Sequence, residues 1–210
     1  NESVFSNGRR NINWTGLSYT NYSYNVSLYD TAGNFNTTLT RIINISRDAI
    51  VTNVVEILGC GNLNQTNAAY TLIQDVVQNS NADCFIISAN NVTLDCNYYS
   101  ISSAFNQSGV YTNKLGTTGK NCNISMGKGT GGYGVELVTG SLNSYIFNNN
   151  LGEQNRGISI SFASDNIIEN NTISTSCINC YGIYFYGTKN NNLNNNLINS
   201  IKSYGLYLYN

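Results

Sequence analysis

Six cysteines, eleven carboxylates and sixteen tyrosines carry most of the side-chain chemistry of this 210-residue chain, which contains no histidine. Without imidazole there is no Ser-His or Cys-His nucleophile pair, and no imidazole site for copper or zinc. A single Met leaves no soft ligand set beyond the cysteines. Cys60 and Cys84 lie 24 residues apart, Cys96 and Cys122 lie 26 apart, and Cys177-Ile178-Asn179-Cys180 is a local Cys-x-x-Cys. One Cys-x-x-Cys without His is a poor zinc site, and a thioredoxin-type motif needs a βαβ setting that is absent. Six cysteines leave connectivity formally open. Disulfides are the favoured use, and they imply an oxidising, extracellular compartment.

The spacing of the cysteines matches that of a repeat. Tyr133-Gly134-Val135-Glu136-Leu137 recurs as Arg156-Gly157-Ile158-Ser159-Ile160, Tyr181-Gly182-Ile183-Tyr184-Phe185 and Tyr204-Gly205-Leu206-Tyr207-Leu208, with glycines 23, 25 and 23 residues apart. A second phrase is interleaved: Ile146…Asn148-Asn149…Leu151, Ile168…Asn170-Asn171…Ile173 and Leu193…Asn195-Asn196…Ile198. A period of this length marks a solenoid. Each period holds short alternating runs of Ile, Tyr, Phe and Val between Asn, Ser, Thr and Gly, which is strand and turn grammar with no room for a helix. The expectation is an all-β chain wound as a right-handed parallel β-helix, rising about 4.8 Å per coil.

Aligning the glycines predicts what stacks. Val135, Ile158, Ile183 and Leu206 form one inward column, and Leu137, Ile160, Phe185 and Leu208 a second. Asn149, Asn171 and Asn196 align at a corner, bonding coil to coil and accepting left-handed backbone angles. One-coil spacing sets Cys60 beside Cys84 and Cys96 beside Cys122, with Cys177–Cys180 as a loop bridge. The same register puts Ser159 and Tyr184 over Glu136, and Asn121 over Asp95, so no carboxylate column of the kind hydrolases pair emerges. Asp165 and Glu169 read as solvated surface acids. Outward Tyr184, Tyr186, Tyr207 and Tyr209 form an aromatic patch suited to sugar rings or a protein partner. The same residues also suit plain cross-strand pairing.

Charged residues are only 10% and net charge is −1, so nothing in the composition points to nucleic acid or an anionic membrane. No run approaches the ~20 apolar residues of a membrane span. No metal or organic cofactor is expected. Eleven Asn-x-Ser/Thr sequons occur. Glycosylation is expected at Asn13, Asn21, Asn25, Asn36, Asn44, Asn64, Asn91, Asn106 and Asn123, while Asn1 is left aside and Asn170 belongs to the corner ladder. The chain lacks an initiator Met and stops just after inward-facing Leu208, so a segment of a longer polypeptide is expected.

Residues 1–48 differ from the rest. Tyr24–Tyr29 alternates, Asp30–Asn34 turns and Thr38–Ile45 alternates again, a β-hairpin. The phrase Tyr29-Asp30-Thr31-Ala32-Gly33-Asn34 resembles the final hairpin of immunoglobulin-like sandwich domains of prokaryotic surface proteins. With Arg10-Asn11-Ile12-Asn13-Trp14 it supplies about four strands, fewer than such a sandwich uses, so the resemblance implies a partial domain or one completed by a donated strand.

In residues 49–210, strands are read at Tyr70–Val76, Cys84–Ile87 and Asn91–Cys96. Leu72 to Asp75, then Cys84-Phe85-Ile86-Ile87, then Asn90-Asn91-Val92-Thr93-Leu94-Asp95-Cys96 resembles the opening coils of the pectate-lyase-like right-handed β-helix superfamily. The likeness is strongest to surface-protein and NosD-type carbohydrate-binding repeats. The resemblance spans roughly residues 57–210 and implies the fold far better than the function. The expected function is a non-catalytic extracellular structural or adhesive glycoprotein, a subunit of a cell-surface filament or layer. Its expected partners are other copies of itself or surface glycans. The competing expectation is a carbohydrate-binding or carbohydrate-active β-helix of lyase or hydrolase type.

Overall fold

The computed structural model describes residues 21–29, 32–44, 53–127, 131–152, 154–200, 202 and 204–209. The chain divides into two units, Asn1–Ala49 and Ile50–Asn210.

In the first unit Ser27–Tyr29 pairs antiparallel with Phe35–Thr37, and Asn21–Tyr24 pairs with Arg41–Asn44. This is the expected hairpin, but its return strand begins at Phe35 and is interrupted at 38–40. The interruption is bridged locally. Thr38 donates its N–H to the Val26 carbonyl at 2.9 Å, and its hydroxyl accepts the Val26 N–H at 2.9 Å. The upstream strand read at Arg10–Trp14 lies outside the described residues, and those described hold no more of a sandwich than these four strands.

The second unit is a parallel β-solenoid of about six turns, with strands on three faces and no helix among the described residues. The first face stacks seven strands, from Asn53–Ile57 and Ala68–Leu72 through Thr93–Asp95, Thr118–Lys120, Tyr145–Phe147 and Ile167–Glu169 to Asn192–Asn194. The second stacks six, from Val76–Gln78 to Leu197–Ser200. The third stacks seven, from Gly61–Leu63 through Phe85–Ile87, Ser108–Thr112, Tyr133–Leu137, Arg156–Ser161 and Tyr181–Tyr186 to Tyr204–Tyr209. The stretch expected as one strand over Tyr70–Val76 is two, on different faces. Leu72 and Val76 both point inward, so the chain must turn through exposed Ile73-Gln74-Asp75 between them.

Period-two alternation fills the interior. Val135, Ile158, Ile183 and Leu206 stack in one third-face column, and Leu137, Ile160, Phe185 and Leu208 in the next, as their spacing requires. Leu206 and Leu208, expected to face inward, are nevertheless exposed, because no described coil covers theirs. Facing them from the second face are Val76, Ile101, Ile124, Leu151, Ile173 and Ile198. Within the coils Leu137, Ile146, Leu151, Ile158, Ile160, Ile168, Ile173 and Ile183 are all fully buried.

Beside these columns run two that set how closely the coils approach. Register carries Cys60, Cys84, Gly109, Gly134, Gly157, Gly182 and Gly205 in one line. Cys60 and Cys84 are disulfide-bonded, with Cα atoms 4.5 Å apart. From Gly109 to Gly182 only glycine fits: a Cβ on Gly157 would stand 2.3 Å from Ile173 Cγ2 and 2.6 Å from the Gly182 carbonyl oxygen, whereas one on Gly205 would meet nothing nearer than 3.7 Å. Close backbone approach, not a special φ, explains the recurring glycine.

The second line runs up the corner between the first and second faces. Asn149 Nδ2 donates to Asn171 Oδ1 at 2.9 Å, and Asn171 Nδ2 donates to Asn196 Oδ1 at 3.0 Å. Each amide also donates to a carbonyl in the coil before it: Asn149 to Gly119, Asn171 to Ile146 and Asn196 to Ile168. Each Oδ1 accepts a backbone N–H as well, from Cys122, Asn149 and Asn171 in turn, all at 3.0 Å. Cys122 thus occupies the ladder position one coil earlier, and its disulfide to Cys96 carries the line back another coil. The left-handed angles expected at the ladder residues belong instead to their predecessors. Asn148, Asn170 and Asn195 have φ of 55°, 53° and 50°. One asparagine of each pair turns the chain, and that turn sends the next side chain inward.

Gly157→Ala is expected to lower stability by about 1–3 kcal/mol, because the added methyl has no space in a packed column. Gly152→Ala, whose Cβ would meet nothing within 4 Å, is the control and should cost nothing. Thermal midpoints of the two variants against the parent decide it.

Candidate functional site

The third face concentrates the outward chemistry. Successive coils place Tyr133, Arg156, Tyr181 and Tyr204 in one outward column, and Tyr111, Glu136, Ser159, Tyr184 and Tyr207 in the next. Ser159 and Tyr184 therefore sit over Glu136 as the glycine register requires. Tyr186 pairs with Tyr209 in a further column, with Phe162 edge-on to Tyr186.

The tyrosine rings stack along the solenoid axis rather than lying flat on its surface. Tyr184 and Tyr207 are parallel to within 5° at 5.5 Å, and Tyr181 and Tyr204 to within 12° at 5.5 Å. Tyr186 and Tyr209 are tilted by 33° at 5.4 Å. The Arg156 guanidinium caps the stack from the preceding coil, 3.8 Å from the centre of the Tyr184 ring. It lies 5.1 Å from the Tyr133 ring and 5.7 Å from that of Tyr181, and Nη1 donates to the Ser159 hydroxyl at 3.3 Å. A half-buried cation–π contact of this kind is worth roughly 0.5–2 kcal/mol. A large share of ring area is thus spent on neighbouring coils, and ring edges remain for an outside partner.

Below Arg156 lies an acidic node that sequence reasoning did not find. Ser108 donates its hydroxyl to Glu136 Oε2 at 2.6 Å and its backbone N–H to Asp83 Oδ1 at 2.8 Å. Two carboxylates, one coil before Ser108 and one coil after it, thereby share one serine. Asp83 and Glu136 are 53 residues apart in sequence, and their meeting rests on the loop before Cys84 lying under Ser108. Burial pushes the Glu136 carboxyl above the ordinary carboxylate range, and the nearby Asp83 charge adds to this against the opposing Ser108 bond and Arg156 charge. Burial likewise raises the Tyr111 phenol, with Glu136 and Asp83 contributing.

Asp95, Asp165 and Glu169 serve the scaffold. Asp95 pairs in register with Lys120 rather than Asn121, at 3.2 Å from Lys120 Nζ, correcting the expected alignment by one residue. The reason is local: Asn121 turns with φ 54° before Cys122, whereas Cys96 comes directly after its strand and is followed by the turn at Asn97 and Tyr98. Asn121 Nδ2 still reaches Asp95 Oδ1 at 3.0 Å. Burial pushes Asp95 up, but the bonds from Asn121 and the Asn97 N–H, with the Lys120 charge, hold it below its ordinary value. Asp165 accepts from Asn190 Nδ2 at 3.1 Å, and Glu169 accepts from the Tyr145 hydroxyl.

A second amide ladder also went unread. Asn166 Nδ2 donates to Asn191 Oδ1 at 3.0 Å and to the Ser141 carbonyl at 3.1 Å. Its signal was present: Asn166 and Asn191 each stand two residues before an inward Ile168 or Leu193, after left-handed Asp165 and Asn190.

Six cysteines form three disulfides: Cys60–Cys84, Cys96–Cys122 and Cys177–Cys180. Among the sequons Asn25, Asn36, Asn64, Asn91 and Asn106 are exposed. Asn91 donates its amide to Asn67, and half-buried Asn123 donates to the Tyr98 carbonyl. Asn21 and Asn44 lie in paired strands, and Asn13 lies outside the described residues. No group of three or more potential metal ligands occurs among the described residues.

A carboxyl whose pKa is raised by folding holds its proton more tightly folded than unfolded. Its burial penalty is absent below the unfolded pKa and fully present above the folded one. Glu136→Gln keeps an acceptor for Ser108 and removes the charge. The thermal midpoint of the variant should therefore exceed the parent's near neutral pH, and the gap should close as pH falls below about 4. Calorimetry across that range checks the sign; a gap that widens toward acid contradicts it.

No family model matches the chain, and no curated protein or solved structure matches it either.

Proposed function

We propose that this is a non-catalytic, extracellular structural or adhesive glycoprotein, with the solenoid as scaffold and its third face as the contact surface. The observation that carries the reading is the capped tyrosine array: Tyr181, Tyr184, Tyr186, Tyr204, Tyr207 and Tyr209 on consecutive coils, held in place by Arg156 and by one another. A rigid row of phenol edges binds with little ordering cost and suits the hydroxyl-rich surface of a glycan or a second copy of the chain. Three disulfides support an oxidising compartment, and no helix among the described residues is long and apolar enough to cross a membrane. Exposed Asn36, Asn64, Asn91 and Asn106 are suitable acceptors for N-glycans. Right-handed winding is proposed on the general rule for parallel crossovers. Membership of the pectate-lyase-like superfamily, and of an immunoglobulin-like class for the hairpin, rests on the motifs quoted above.

One observation favours a second reading. Asp83 and Glu136 meet at Ser108, and Glu136 is held toward its protonated form, an arrangement that acid-assisted sugar chemistry also uses.

A glycan array with the intact protein separates the two. Retention that falls at least about tenfold in Tyr184→Ala/Tyr207→Ala supports the adhesive reading, since losing a pair of aromatic contacts is worth that much. Unchanged retention ends it. Release of new sugar ends from a retained glycan, abolished by Glu136→Gln, replaces it with the catalytic one.

A further inference from the structure

The three disulfides are embedded very differently. Cys84, Cys96 and Cys122 are at most 1% exposed and belong to the packed core, with Cys60 packed against it. Their bridges span 24 and 26 residues and tie one coil to the next. Cys177–Cys180 spans 3 residues in the turn from the second-face strand Thr172–Thr175 to the third-face strand Tyr181–Tyr186. Between its cysteines Ile178 is 75% exposed, and Asn179 is exposed with φ 59°. No coil depends on this bridge, because Thr172–Thr175 and Tyr181–Tyr186 are each paired to neighbours on both sides.

Its two sulfurs are also unequal. Cys177 is half-buried, whereas Cys180 is fully buried. Asn155 Nδ2, one coil earlier, points at Cys180 Sγ from 3.6 Å as a donor. Exchange requires an approach to one sulfur and departure from the other, and it goes faster when the leaving thiolate is stabilised. Access selects Cys177 for attack, and the Asn155 amide favours Cys180 as the leaving group.

We propose that Cys177–Cys180 is a thiol–disulfide exchange site through which the protein forms a reversible covalent link at Cys177 to an external thiol. The external thiolate attacks Cys177 Sγ. The Cys177–Cys180 bond breaks, its electron pair stays on Cys180 Sγ as thiolate, and a mixed disulfide forms at Cys177. Electrons balance without an added oxidant or reductant, and attack by Cys180 on Cys177 reverses the step and expels the thiol. The inference goes beyond the proposed function and holds whether or not the third face binds a glycan.

The test incubates the native, folded protein with glutathione, and in a second arm with a short cysteine-bearing peptide. Free thiols are then trapped by alkylation and the sites mapped by mass spectrometry. The expected result is a mixed disulfide at Cys177 with Cys180 alkylated, while Cys60–Cys84 and Cys96–Cys122 stay closed at least about tenfold longer. Adducts in both arms extend the site to polypeptide thiols, and an adduct with glutathione alone restricts it to small ones. Asn155→Ala should slow adduct formation several-fold with little change in thermal midpoint. An adduct at Cys180, or opening of either coil-to-coil bridge at a comparable rate, overturns the proposal.

Discussion

Every coil must come within one strand spacing of the next at points where side chains would ordinarily keep backbones apart. That constraint organises the molecule. In the third face it is met by glycine, because any Cβ at 134, 157 or 182 would run into the carbonyl of the glycine above it. At the corner between the first and second faces it is met by Asn149, Asn171 and Asn196, whose amides satisfy the backbone groups that a sharp turn leaves unpaired. Buried polar groups left without partners cost about 1–3 kcal/mol each, so a corner of this kind can be buried only if the ladder is complete.

Both lines begin in disulfides. Cys60–Cys84 heads the glycine column and Cys96–Cys122 heads the amide ladder, so the earlier coils are fastened covalently where the later ones rely on steric fit and hydrogen bonds. A bridge closing a loop of about 25 residues contributes on the order of 3 kcal/mol. The earlier coils also carry the less regular corners, with Asn97 and Tyr98 both left-handed after Cys96. Covalent and non-covalent fastening thus occupy the same positions along the axis. Cys177–Cys180 heads neither line, which is the physical ground for assigning it a different role.

Much of this was legible in the sequence because a solenoid repeats its reasons. Val135, Ile158, Ile183 and Leu206 could be aligned from glycine spacing alone, and so could the asparagine corner and the one-coil cysteine pairs. What was lost depended on residues that do not repeat. The one-residue shift at Asp95 arises from an extra left-handed Asn121 that a spacing count cannot place on one side of a cysteine or the other. The Asp83–Ser108–Glu136 node joins a loop to two strands and has no periodic signature. The tyrosines were foreseen as an outward patch, but ring orientation was not, since it depends on Arg156 entering the same column. Asn149 was expected both to turn the chain and to bond the next coil, and backbone angles give the turn to Asn148 while the bonding stays with Asn149.

Interior side-chain amides hold the corner as firmly as the strands hold the faces. Native-state hydrogen exchange on the backbone N–H groups of Cys122, Asn149 and Asn171 tests it directly, because each donates to a side-chain oxygen rather than to a strand partner. They are expected to exchange only through global opening, with protection equal to that of Ile158 and Ile183 in the third face. Exchange at the rate of the exposed turn at Ile178 and Asn179 would contradict it.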